Sequence, residues 1–236
     1  MTLFDHRRKE IARRSAPLSA RMRPNSIEQI MGQSHILGEG KVLRRAIEAD
    51  RVPSLILWGP PGTGKTTLAR VIASATQSYF ETISAVNSGV KDIRSAVQSA
   101  RDRLGMDGRP TIVFVDEIHR FNKSQQDALL PDVEEGTVTL IGATTENPSF
   151  EVIGPLLSRA RVFRLESLPD EDISALLDRA LGETELTAGG PEAILTEEAR
   201  ALLVRVANGD ARHGLDSLEL AVESTEPDED GNRNVT

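Results

Sequence analysis

At 236 residues, with 39% hydrophobic and 27% charged, the chain has room for one large domain or for a large and a small one, and the composition of an ordinary globular protein. No apolar run approaches the roughly 18 residues that a membrane span needs, and the absence of cysteine excludes disulfides and thiolate metal sites. A net charge of −8 argues against a uniformly basic nucleic-acid-binding surface.

The N-terminus lacks a secretory apolar core. Instead residues 1–23 set Arg7, Arg8, Lys9, Arg13, Arg14, Arg21 and Arg23 against only Asp5 and Glu10; of these, residues 1–16 read as a flexible, solvated basic arm, with a phosphate-binding arm as the alternative. Short apolar runs then recur at 54–58 (SLILW), 111–115 (TIVFV), 137–142 (TVTLIG) and 161–165 (RVFRL). The first three are continuous, as strands buried on both faces should be. Helical patterns separate them: 66–75, then 90–104, where Val90, Ile93, Val97 and Leu104 share one face, then 124–130. Alternating strands and helices predict an α/β domain over 17–168, built on a parallel sheet. After Pro169 the texture turns wholly helical, with segments at 172–181, at 196–207 behind an N-cap Thr196, and at 209–224 behind an N-cap Asp210. This predicts a small all-α domain over 169–224. Residues 225–236 (TEPDEDGNRNVT) read as an acidic linker, with a chain that continues past Thr236 as the expectation and a ragged tail as the alternative.

The segment 59–67, GPPGTGKTT, fits the phosphate-binding loop pattern between a predicted strand and a predicted helix. Gly59, Pro60, Pro61, Gly62, Thr63, Gly64, Lys65, Thr66 and Thr67 form the candidate cradle. The glycines let backbone N–H groups turn toward phosphate oxygens, and the helix N-terminus adds partial positive charge. In this pattern Lys65 reaches the β- and γ-phosphates and the Thr66 hydroxyl ligates Mg²⁺. Charge at the end of a buried strand is costly unless something positive meets it. Asp116 and Glu117 end the second buried run, so Asp116 reads as the acid that holds Mg²⁺ and Glu117 as the base that orients an attacking water. The pair alone also fits a helix cap with a solvated neighbour; with the loop at 59–67 it points to hydrolysis of a nucleoside triphosphate. Thr145, beyond the third run, is a candidate to touch the γ-phosphate or the water, while Asn147 fits a loop cap. Arg159 has two readings, an ordinary surface ion pair or a charge offered to a neighbouring subunit's γ-phosphate.

Taken together, GPPGTGKTT, VDEIHRFNKSQQDALL, GATTENPSF, LLSRARVF and GDARHGLDSLE resemble the AAA+ ATPases. More narrowly, they resemble the replication-associated recombination protein A family, also called MgsA, with its eukaryotic relative, the Werner-helicase-interacting protein. The resemblance implies ATP and Mg²⁺ as cofactors, Thr145 as sensor 1, Arg159 as a finger acting in trans, and Arg212, in the first turn of a lid helix, as sensor 2. It also implies that Ile36 and Leu37, in 23–38, flank adenine. It implies DNA as partner (single-stranded ends, gaps or forks), with single-strand-binding protein and other replication proteins nearby, and a nucleoid-associated place in the cytoplasm. Relatives carry a further helical region after the lid, tied to homo-oligomer formation. From the residues themselves, Lys91, Arg94, Arg120 and Lys123 are candidates for phosphate contact, and aromatics at 3% favour backbone contact over base stacking. A clamp-loader-like or branch-migration motor and a nucleotide-gated scaffold remain the alternatives.

Overall fold

The apolar runs of the sequence lie side by side in a five-stranded, all-parallel sheet ordered β2-β3-β4-β1-β5. A computed structural model describes residues 16–182 and 193–236, so most of the basic arm expected over 1–16 lies outside the described residues. In chain order the elements are α1 (Leu18–Arg21), α2 (Ser34–Leu37), α3 (Val42–Glu48), β1 (Leu55–Trp58), α4 (Lys65–Ala75), β2 (Tyr79–Ser84), α5 (Val90–Asp107) and β3 (Thr111–Asp116). There follow a 3₁₀ turn (Ile118–Arg120), α6 (Lys123–Asp127), α7 (Leu130–Glu134), β4 (Val138–Thr144), α8 (Pro148–Glu151), α9 (Gly154–Leu157) and β5 (Arg161–Arg164). The last are α10 (Asp170–Leu181), β6 (Ala193–Leu195), α11 (Glu197–Ala207), α12 (Ala211–Ser224) and β7 (Arg233–Val235).

Two compact units result, one spanning 24–166 and the other combining the described residues of 1–23 and 167–236. In the first, the two-residue period of a strand sorts the core. Leu55, Leu57, Ile112, Phe114, Ile141 and Ala143 pack on one side with Leu68 and Ile72 of α4. Ile56, Val113, Val115 and Leu140 pack on the other with Ile93 and Val97 of α5. Both faces are covered, which is why these strands are apolar throughout. Each Leu, Ile, Val or Phe side chain among them, taken fully from water, contributes about 1.5–3 kcal/mol.

Several expectations need correction here. The strand β2 was not anticipated, because Tyr79–Ser84 lies at the sheet edge and is largely polar and part-exposed. The single helix expected over 124–130 is two short ones, α6 and α7. Pro131 sits in the first turn of α7, where its missing N–H costs nothing but its ring prevents continuation from α6. The segment 17–23, expected in the α/β domain, belongs with the C-terminal helices. There the Glu219 carboxylate accepts from Leu18 N at 2.9 Å and from Arg21 Nη2 at 2.9 Å.

The second unit has α10, α11 and α12 packed through Ile173, Leu177, Leu203, Leu215, Leu218 and Val222. Both expected caps are present. Thr196 Oγ1 accepts from Ala199 N at 3.2 Å, and Asp210 Oδ1 accepts from His213 N at 2.9 Å. The unit is not wholly helical, and its tail is not a bare linker, since β7 pairs with β6 in parallel. Arg233 Nη1 donates to the carbonyls of Val222, Glu223 and Thr225 at 2.9, 3.1 and 2.6 Å, closing the C-terminal end of α12. Asp228 Oδ1 accepts from Asp230 N and Asn232 N, turning the chain into β7.

Candidate functional site

The loop between β1 and α4 owes its shape to glycine. Gly62 and Gly64 have φ of 67° and 92°, conformations that side chains with a Cβ rarely adopt. Gly59 is required for a different reason, because a Cβ there would lie 2.2 Å from the Leu165 carbonyl oxygen. Helix α4 starts at Lys65, so its first N–H groups face the loop. The Lys65 ammonium, on a residue only 8% exposed, donates to the Gly59 and Pro60 carbonyls, each at 2.7 Å. Thr63 Oγ1 donates to the Pro60 carbonyl at 2.9 Å, so Pro60 O accepts twice. Thr66 is half-buried at the second position of the helix.

Strands β1, β3 and β4 end together, and their last residues form the rest of the site. Gly59 N donates to Thr144 O at 3.2 Å, tying the loop to the end of β4. Asp116 is the final residue of β3, and Glu117 follows in the left-handed region at φ 52°. That turn carries the carboxylate off the strand line toward the end of β4. Glu117 Oε2 accepts from Thr145 Oγ1 at 3.5 Å and lies 3.2 Å from His119 Nδ1. His119 Nδ1 also lies 3.0 Å from Thr144 Oγ1, a residue with no exposed surface. Thr144 Oγ1 in turn accepts from Glu146 N at 3.0 Å. Asn147 Oδ1 accepts from Ser149 N at 3.0 Å, the loop-cap role open to it from the sequence.

The structure thus brings together Gly59–Thr67, Asp116, Glu117 and Thr145. It does not bring Arg159 to them: its guanidinium pairs with Glu134 and donates to Pro155 O and Ser158 Oγ. Arg212 is exposed in the first turn of α12, in the other compact unit. Ile36 and Leu37 are 8% and 5% exposed and pack into the core with Leu43, Leu68 and Leu165.

The profile of the ATPase family associated with various cellular activities (AAA) matches residues 55–169. The chain is 55% identical over 217 residues to the replication-associated recombination protein A of Escherichia coli (strain K12), covering 92% of this chain and 48% of that protein. It is 40% identical over 220 residues to the protein of the same name in Bacillus subtilis (strain 168), covering 93% of this chain and 51% of that one. The chain belongs to the replication-associated recombination protein A family of AAA ATPases. It spans about half the length of these relatives. Among solved structures, the Thermotoga maritima RuvB Holliday junction branch migration motor superposes with a TM-score of 0.70 at 27% identity, covering 86% of this chain and 66% of that one.

Several residues that shape the site in this AAA ATPase escaped the sequence reading. Gln33 is 6% exposed with φ 59°. Its amide accepts from Glu166 N at 3.0 Å and donates to Glu166 O at 2.7 Å, while Nε2 approaches Thr63 O at 3.5 Å. His119 and Thr144 were likewise passed over, although His119 stands two residues after Glu117 in VDEIH. A polar residue at a strand end next to a candidate carboxylate was the available signal.

Proposed function

We propose that this chain is the ATP-hydrolysing part of a DNA-dependent enzyme acting at stalled or gapped replication forks, with its arginine finger supplied in trans. The observation that carries the reading is the convergence of a phosphate loop, Asp116 and Glu117 at the ends of the inner strands, in a chain 55% identical to a replication-associated recombination protein. Lys65, held by two carbonyls of its own loop, exchanges them for the β- and γ-phosphates. The N–H groups at the start of α4 receive phosphate oxygens. Among the described residues no three His, Cys, Asp or Glu are grouped to hold a metal. Mg²⁺ takes one or two protein oxygens and completes its shell with phosphates and water. Thr66 and Asp116 are the donors for it, and the ion, when bound, neutralises charge on the β- and γ-oxygens. Glu117 holds the attacking water, and Thr145, 3.5 Å from its carboxylate, contacts the water or the γ-phosphate. Arg212 serves as the sensor of a lid formed by the C-terminal helices.

Support for the trans finger is that none of the partners of Arg159 belongs to the phosphate loop or to the Asp116–Glu117 turn. Support for DNA contact is that Lys91, Arg94, Arg120 and Lys123 are all exposed and, among the described residues, lack ion-pair partners. They begin α5 and flank α6, which are tied together where Gln125 Nε2 donates to Ser88 O at 2.7 Å. Such contacts weaken steeply with salt. No helix among the described residues is long and apolar enough to cross a membrane. A cytoplasmic, nucleoid-associated place, single-strand-binding protein as a neighbour and assembly as a homo-oligomer complete the proposal.

The test is complementation between subunits. Glu117→Gln and Arg159→Ala each lose at least about 10²-fold in ATP turnover measured with single-stranded and forked DNA. Mixing them pairs an intact finger with an intact base and restores part of the lost rate. A mixture as inactive as its components rules out the trans arrangement. A branch-migration motor is the second reading, favoured by the likeness to RuvB; preferential stimulation by four-way junctions over forks would select it.

A further inference from the structure

Arg159 has a defined posture. Its Nη2 pairs with the Glu134 carboxylate, and its Nη1 donates to Pro155 O and Ser158 Oγ, both at 2.9 Å. Glu134 is the last residue of α7, on the far side of β4 in the chain, and Arg159 follows α9. The pair therefore links two elements that a buried strand separates along the chain. Its side chains are 40% and 42% exposed, so the pair adds little to stability. What it fixes is direction. A guanidinium is a planar fork on a long stem with many rotamers, and three acceptors on two sides of it leave one orientation.

We propose that Glu134 is a positioning residue for the finger, orienting the Arg159 guanidinium before subunits meet. The neighbouring subunit's γ-phosphate then encounters a donor already aimed. This rests on the trans-finger reading above. Orientation and charge predict opposite signs. A carboxylate offsets part of the guanidinium charge, so if charge alone mattered, removing Glu134 would speed hydrolysis. If orientation matters, removal slows it, because small misplacements of a group that stabilises a transition state cost rate steeply.

The experiment is a double-mutant cycle on ATP turnover in the presence of DNA. Glu134→Ala is expected to lower kcat about 10-fold with KM for ATP within about twofold, the pattern of an interaction realised in the transition state. Glu134→Gln, which keeps an acceptor for Nη2 without the charge, recovers most of the rate. In an Arg159→Ala background, Glu134→Ala has no further effect. Equal losses in both backgrounds would mean a merely structural role and overturn the proposal, as would a faster Glu134→Ala enzyme or a Gln variant as slow as Ala. Wild-type turnover by Arg159→Ala would overturn the trans finger and this proposal together. Loss of turnover in Arg159→Ala with wild-type turnover in Glu134→Ala would overturn only the positioning role. A second readout is independent of turnover: the Arg159 Nε–H signal in NMR relaxation should report an ordered side chain in wild type and Glu134→Gln, and a mobile one in Glu134→Ala. Equal mobility in all three would also overturn it.

Discussion

The unit over 24–166 and the unit built mainly from the C-terminal helices hold their candidate residues in contrasting ways. In the first, functional groups cluster at and just beyond strand ends, and close contacts hold them: Lys65 against the Gly59 and Pro60 carbonyls, Gly59 against the Leu165 backbone, and the Glu117 carboxylate beside the side chains of Thr145 and His119. In the second, Arg212 stands exposed on a helix whose place is set by an Asp210 cap and by Leu215, Leu218 and Val222 beneath it. The first arrangement tolerates almost no change of backbone. The second tolerates much, because helix packing spreads its energy over many side chains.

Three substitutions sharpen that contrast. The largest effect is expected from Lys65→Ala, which should weaken binding of a non-hydrolysable ATP analogue by at least about 10²-fold, since charge-assisted bonds to phosphate are among the stronger polar contacts; calorimetric titration checks it. Next comes Gly59→Ala. Its new Cβ would sit 2.2 Å from a backbone oxygen, so the end of β1 must shift, with an expected loss of about 1–3 kcal/mol in urea unfolding. The smallest is Arg233→Ala, which removes the side chain that closes α12 and should cost about 0.5–1.5 kcal/mol. Its signature is local, with faster hydrogen exchange at the end of α12 and in β7 and no change in ATP binding. A loss at Arg233 as large as that at Gly59 would erase the distinction between the units.

How much of this was legible follows from where each interaction lies along the chain. The buried strands, the phosphate loop and the Asp116–Glu117 pair were readable because each is a contiguous stretch whose composition states its environment. The caps Thr196 and Asp210 were readable because a cap and the N–H it accepts from are three residues apart. Other features join residues that are distant in sequence. Gln33 meets Glu166, Arg233 meets Val222, and Glu134 meets Arg159, and nothing local in a polar side chain names its partner. The edge strand β2 hid for another reason: with one side unpaired, Tyr79–Ser84 needs no continuous apolar run. The acidic tail misled because charge and turn residues conceal the three-residue strand that Arg233 begins.

Gln33 has a mechanical consequence. Its amide grips both backbone groups of Glu166, the residue at which the chain leaves the first unit, and the same nitrogen reaches toward the carbonyl of Thr63. A tug on the chain beyond Glu166 is therefore borne by a side chain that also leans on the phosphate loop. A single amide serves there as a fulcrum: a shift of the main chain at Glu166 and a shift of the loop at Thr63 press on the same few atoms.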